Sequence, residues 1–177
     1  EGPWGVPVVS ASRNGIMAYS ATRLGNTQVS WFERTGKRQS VLPLPPGRWE
    51  GASIGPGDRR AMVGRVNSVN EGDWWLIELN SAVARRFVGA MPSYPAVWSP
   101  AGDRIAYQVN KSGPEDIYVK SVDGGGAEEP LAASDVLFKN PVQWSPDGKY
   151  LIFNQPDPTG WDVWRLPLAG DRKPEPV

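Results

Sequence analysis

The sequence predicts an all-β fold, a β-propeller built of four-stranded antiparallel blades with four blades in this chain, and three observations carry that expectation. One segment recurs: WSPDGKYLIF at 144–153 returns as WSPAGDRIAY at 98–107, and in worn form as IGPGDRRAMV at 54–63 and SASRNGIMAY at 10–19. The copies end at Tyr19, Val63, Tyr107 and Phe153, a period of about 44 residues, which is blade length. Each repeat also breaks into short alternating apolar runs separated by Gly-containing turns, the pattern of antiparallel hairpins. Finally, the 20 glycines and 18 prolines fall between those runs, and no stretch has the periodicity of an amphipathic helix.

Taken in order, the first blade (3–46) reads as strands VPVVS, IMAYSA, TQVSWFER and RQSVLPL, joined by SRNG, TRLGN and TGK. The second (47–90) reads as ASI, RAMVGRV, DWWLIEL and ARRFVG, with a loop at NSVNEG and a turn at Asn80 and Ser81. In its first turn the glycine is displaced by one residue. The third (91–134) gives PAVW, RIAYQV, DIYVKSV and AEEPLAA. The fourth (135–177) gives PVQW, YLIFNQ, WDVWRLPL and RKPEPV, where Pro174 and Pro176 suit only an edge strand because they donate nothing to a ladder. The four blades make one repeat domain over 1–177. Trp98 and Trp144, just before the first turn of their repeats, read as wedges between blades.

Composition narrows the function. The 19 basic and 19 acidic residues balance, so no broad basic field draws the chain to nucleic acid or an anionic membrane. No apolar run is long enough to insert into a membrane as a helix. Histidine and cysteine are both absent, which removes the usual general base, the usual zinc ligand, the thiol nucleophile and any disulfide framework. Nine tryptophans are many for this length. Each buries roughly 150–250 Å², so they can supply much of the core. The abrupt ends, EGPWGV and KPEPV, read as those of an excised or processed piece.

The units WSPDGKYLIF…WDVWRLPLAG and WSPAGDRIAYQVNKSGPEDIYVKSVDGGG resemble the TolB-type, WD-repeat-like β-propeller repeat, with its W-S-P-D-G turn, apolar strand and D-I-Y strand before a D-G-G turn. The likeness spans the whole chain and is weakest in the first unit, where SASRNG replaces the S-P-D-G turn. NGIMAYS, WFERTGKR, DIYVKSVDG and GWDVWRLPL also resemble the propeller part of bacterial proteins that carry such repeats after a serine/threonine kinase domain. The resemblance implies a bacterial, extracytoplasmic, non-enzymatic scaffold without cofactor, binding a protein or peptide. A regulatory or sensor part of a kinase or a prolyl-oligopeptidase-type peptidase is the alternative it leaves open, and a carbohydrate-binding propeller the weaker one. Relatives carry six or more blades, and this chain begins at a first strand and ends at a fourth, with none left to clasp a ring. Half of an eight-bladed ring completed by a homodimer, a compact four-bladed ring and part of a longer propeller all fit, and the dimer is favoured.

Candidate binding residues come from comparing the copies. Val6, Glu50, Tyr94 and Asn140 occupy one position before the first strand, and Gly5, Trp49, Ser93 and Lys139 precede them. Positions that vary between copies do not serve the shared packing, and the loops leading into first strands gather at the channel mouth of a propeller, where a rigid scaffold lets them vary. Arg48, Trp49, Glu50, Tyr94, Lys139 and Asn140 are therefore the expected partner-binding residues. No catalytic residue and no metal ligand is expected: NSVNEGD at 67–73 lacks the spacing and closing glutamate of a calcium loop. The GGG of 124–126 is no phosphate loop. Asp103, Asp116, Asp147 and Asp162 fall at repeat turns or third-strand starts, where carboxylates hold loops.

Overall fold

A computed structural model describes residues 9–11, 17–19, 26–68, 71–89, 96–109, 116–131, 138–158 and 160–177. Among the described residues sixteen strands form four antiparallel sheets, each of four strands in chain order. The first sheet holds β1 (Val9–Ala11), β2 (Met17–Tyr19), β3 (Ser30–Phe32) and β4 (Arg38–Val41). The second holds β5 (Arg48–Ile54), β6 (Arg60–Ser68), β7 (Glu71–Glu78) and β8 (Val83–Val88). The third holds β9 (Val97–Trp98), β10 (Arg104–Val109), β11 (Asp116–Ser121) and β12 (Glu129–Pro130). The fourth holds β13 (Asn140–Trp144), β14 (Tyr150–Asp157), β15 (Gly160–Pro167) and β16 (Glu175–Pro176). One sheet thus falls in each repeat. The chain divides into two compact units, Glu1–Pro92 and Ser93–Val177, each containing two sheets.

The repeated S-P-x-G segment explains the turn between first and second strands. In the fourth sheet the Ser145 amide donates to Tyr150 O and the Gly148 amide to Ser145 O, while the Tyr150 amide returns to Ser145 Oγ at 2.9 Å. The third sheet repeats this with Ser99, Arg104 and Gly102. Gly102 and Gly148 take φ of 72° and 71°, a left-handed conformation that a side chain disfavours. In the second sheet the displaced glycine, Gly57, is followed by Asp58, and Asp58 itself takes φ 54° in a short 3₁₀ turn.

Within each unit the two first strands approach one another, β1 beside β5 and β9 beside β13. The sheets pack face to face. In the first unit Val29, Trp31 and Leu42 from the first sheet meet Trp49, Val63, Trp75 and Ile77 from the second. In the second unit Ala106, Ile117, Val119 and Leu131 meet Trp144, Leu151, Phe153 and Leu166. Trp144 is the wedge its position suggests. Its indole N–H donates to Val97 O on the neighbouring sheet at 3.3 Å, and the Arg104 guanidinium lies 5.0 Å from its ring.

Differences from expectation sit where strands begin and end. β5 starts at Arg48 rather than at Ala52, because Gly51 at φ 63° absorbs a bulge between Glu50 and Ala52 and lets pairing with β6 continue. β6 and β7 likewise run into the segment read as the NSVNEG loop. The outer strands β12 and β16 shrink to two residues each, and Pro176 sits at the edge of its sheet. Gly51 offers a direct check. A Cβ there would make ordinary contact with the Trp74 ring at 3.5 Å, so the cost of Gly51→Ala is the left-handed backbone, about 1–2 kcal/mol. Urea unfolding of this variant is expected to show that loss, and an unchanged midpoint would mean the bulge relaxes freely.

Candidate functional site

The expected binding residues lie at the starts of β5 and β13. Strand alternation at β5 sends Arg48 and Glu50 to one face and Trp49 to the other. Arg48 Nε donates to Glu50 Oε1 at 2.6 Å, and this pair stays accessible, with side chains 51% and 28% exposed. Trp49 is enclosed. Its indole N–H donates to Pro45 O at 3.0 Å, its ring meets Trp75 edge-on at 5.6 Å, and the Arg65 guanidinium lies 5.7 Å from its ring centroid. Thr27 holds the same stretch from the first sheet: its hydroxyl accepts from the Trp49 amide at 2.6 Å and donates to Trp49 O at 2.9 Å.

In the second unit Lys139 and Asn140 are buried. Lys139 Nζ donates to Asp116 Oδ1 at 2.5 Å, with the lysine side chain 2% and the aspartate 17% exposed. Asn140 Oδ1 accepts from Gln108 Nε2 at 2.9 Å. Both bonds tie the strand that opens the fourth sheet to the third sheet. Tyr94 lies outside the described residues, as do Gly5, Val6 and Ser93. The structure therefore brings Arg48 to Glu50 at the surface, and places Trp49, Lys139 and Asn140 beneath it in their own units.

Sequence comparison missed the partners. By strand register Asp73, Asp116 and Asp162 share one position at the start of the third strand. Asp73 accepts from Asn67 Nδ2 at 2.7 Å and from Arg86 Nε at 2.5 Å, so the carboxylate of NSVNEGD is taken by side chains of its own sheet. Asp116 takes Lys139. Asp162 hydrogen-bonds to Asp157, and that contact, followed by Asp157's negative charge, raises its pKa above the usual carboxylate value. The shared position of the three aspartates was the signal, because a carboxylate kept at one register site asks for a partner each time.

The turn aspartates are structural as expected. Asp147 accepts from the Ser145 hydroxyl at 2.6 Å and then from the Lys149 amide at 3.1 Å, and these bonds hold its pKa low. Asp103 accepts from the Ser99 hydroxyl at 2.7 Å. Tyr107 has its phenol pushed well above the ordinary range, first by burial and then by the charge of Glu128. Among the described residues no group of three or more acidic side chains is placed to hold a metal ion. No described helix is long and apolar enough to cross a membrane.

No protein-family model matches the chain. Solved structures match it along nearly all its length. TolB from Acinetobacter baumannii superimposes with a TM-score of 0.78 at 16% identity, covering 96% of this chain and 42% of that one. A TolB-like protein of Agrobacterium tumefaciens gives 0.78 at 19% identity, covering 97% and 61%. This chain has the TolB-type β-propeller fold. The same fold likeness extends to a prolyl endopeptidase, with a TM-score of 0.70 at 15% identity over 97% of this chain and 29% of that one. By sequence, an uncharacterised protein of Agrobacterium fabrum is 28% identical over 96 residues, 54% of this chain and 32% of that protein. The chain thus spans less than two thirds of each of these proteins. The TolB-type fold is shared by proteins with different roles, so function rests on the site.

Proposed function

We propose that this chain is a non-catalytic TolB-type scaffold that binds a protein or peptide partner through the loops leading into the first strands of its blades. The observation that carries the reading is the contrast at β5: an accessible Arg48–Glu50 pair stands on a base locked by Trp49, Thr27 and Trp75. A charged pair on rigid backing offers a peptide both a donor and an acceptor without an ordering cost. In the second unit, Lys139 and Asn140 fix the strand that follows their own loop. Binding and not chemistry fits the carboxylates as well, since Asp73, Asp103, Asp116 and Asp147 are each engaged by a cation or a hydroxyl.

The test is affinity capture from an extract of the source cell, with the native chain against an Arg48→Ala, Glu50→Ala, Tyr94→Ala variant. A partner held by the native chain is expected to drop at least about tenfold in the variant, as loss of central interface residues does. Full retention by a folded variant would defeat the site assignment. The prolyl endopeptidase likeness favours a second reading, a regulatory propeller within a larger enzyme. Sequencing the gene on both sides of this segment decides it: a kinase or peptidase domain in frame would favour that reading, and neighbours without either would favour the scaffold.

A further inference from the structure

Phe138 stands in the loop that leads into β13, and its backbone is left-handed at φ 62°. Among the described residues Asp58, Ala82 and Arg172 share that region with it. Ala82 is a small residue in the turn between β7 and β8, Asp58 ends a short 3₁₀ turn, and Arg172 is paired to Glu129. Phe138 is the bulky one. A Cβ in that region crowds the following carbonyl oxygen, so large residues rarely enter it. Full burial of the ring would offset such strain. Phe138 instead remains 46% exposed.

The left-handed step is imposed by the residues that follow. Lys139 turns inward to Asp116 at 2.5 Å and Asn140 to Gln108 at 2.9 Å, both on the third sheet, while Asn140 and Pro141 pair with Asn154 and Phe153 of β14. These bonds fix the chain from Lys139 onward. The turn at Phe138 therefore holds the aromatic at the surface while its neighbour, Lys139, is 1% exposed. A side chain kept in a costly conformation and shown to solvent does little for stability. Such residues gather at binding and switch regions, where the surrounding structure over-determines them.

Charge indicates the kind of partner that suits this ring. The second unit, Ser93–Val177, holds twelve acidic residues against eight basic ones. Its cations at Lys139, Arg165 and Arg172 are each drawn to a carboxylate of the same unit, at Asp116, Glu175 and Glu129. Lys139, the charge next to Phe138 in the chain, is thus neutralised beneath the loop. An exposed phenyl ring offers its face to an apolar side chain, and its quadrupole also attracts a cation. The acidic excess adds attraction for a basic segment and repels an acidic one.

We infer that Phe138 is the aromatic anchor of the partner site, and that it receives a basic peptide presenting an apolar side chain beside Lys or Arg. The inference rests on the loop-face reading and deepens it, adding a residue and a ligand class.

The experiment selects peptides from a phage-displayed library of random heptapeptides on the native 177-residue chain and on Phe138→Gly. Glycine accepts the left-handed step, so the variant loses the ring and the strain together. It is expected to unfold at a urea concentration no lower than the native chain does. A lower midpoint would mean that the ring holds the loop, a structural role that overturns the inference. Peptides enriched on the native chain are expected to combine Phe, Leu or Trp with Lys or Arg. One of them, synthesised with a fluorescent label, is expected to bind Phe138→Gly at least about tenfold more weakly. Enrichment of acidic peptides, no enrichment over the variant, or equal affinity for both chains overturns the inference. The Arg48→Ala, Glu50→Ala, Tyr94→Ala chain separates it from the wider reading. A peptide lost by Phe138→Gly but held by that chain upholds Phe138 and removes the other three from its site. A peptide lost by that chain but held by Phe138→Gly upholds the loop face and overturns the role of Phe138.

Discussion

Replacing Phe153 by alanine is expected to destabilise the second unit by about 3–5 kcal/mol, the range for emptying a large buried aromatic site. Phe153 is fully buried in the cluster of Ala106, Ile117, Trp144, Leu151 and Leu166, where the third and fourth blades meet. Its backbone neighbours across the sheet are Pro141 and Trp164, and sheet pairing on both sides keeps the strand from moving inward to fill the hole. The loss is a large part of the total, since small domains are held by roughly 5–15 kcal/mol. Urea unfolding followed by tryptophan fluorescence reads it. Phe153→Leu keeps most of the volume and is expected to lose about 1–1.5 kcal/mol. Val163→Ala, on the opposite face of the adjoining strand, is expected to stay within about 0.5 kcal/mol. A Phe153→Ala loss no larger than that of Val163→Ala would mean that the face turned toward the third blade is not the core.

The same contrast shows what the sequence disclosed and why it stopped there. The strands around Tyr107 and Phe153 were legible because local chemistry dictates them: Ser99 and Ser145 close their turns within six residues, and Gly102 and Gly148 supply the left-handed step. The start of β5 was not, because the residues from Arg48 pair only after Gly51 takes up a bulge whose partner strand lies beyond the next turn. Trp49 and Lys139 were read as binding residues because they vary between repeats. Each varies for its own reason. Trp49 fills a pocket made by Thr27, Trp75 and Arg65, and Lys139 answers a carboxylate 23 residues back in the chain. A repeat comparison asks whether a position packs in the same way each time, so a residue that packs in a way peculiar to one junction looks like surface. Arg48 and Glu50 had the opposite fate: alternation along β5 puts them on the face away from Trp49, where both side chains keep access to water.

The Lys139–Asp116 pair carries the other large effect. Asp116→Ala is expected to lower the stability of the second unit by about 3–5 kcal/mol, because it strands an ammonium group enclosed in protein without its counter-charge. Lys139→Met leaves a carboxylate that keeps some access to water, and is expected to cost less than Asp116→Ala. The decisive variant is the double one, Lys139→Met with Asp116→Ala. Removing both charges also removes the desolvation that the pair had to overcome, so the double variant is expected to lie within about 1 kcal/mol of the native chain. The cycle then gives a coupling of about 2–3 kcal/mol or more, against the few tenths seen for exposed pairs. Additive losses would mean that the two groups are solvated separately. Strong coupling would mean that the lysine read from the sequence as a ligand for a partner is already a ligand, for the blade before it.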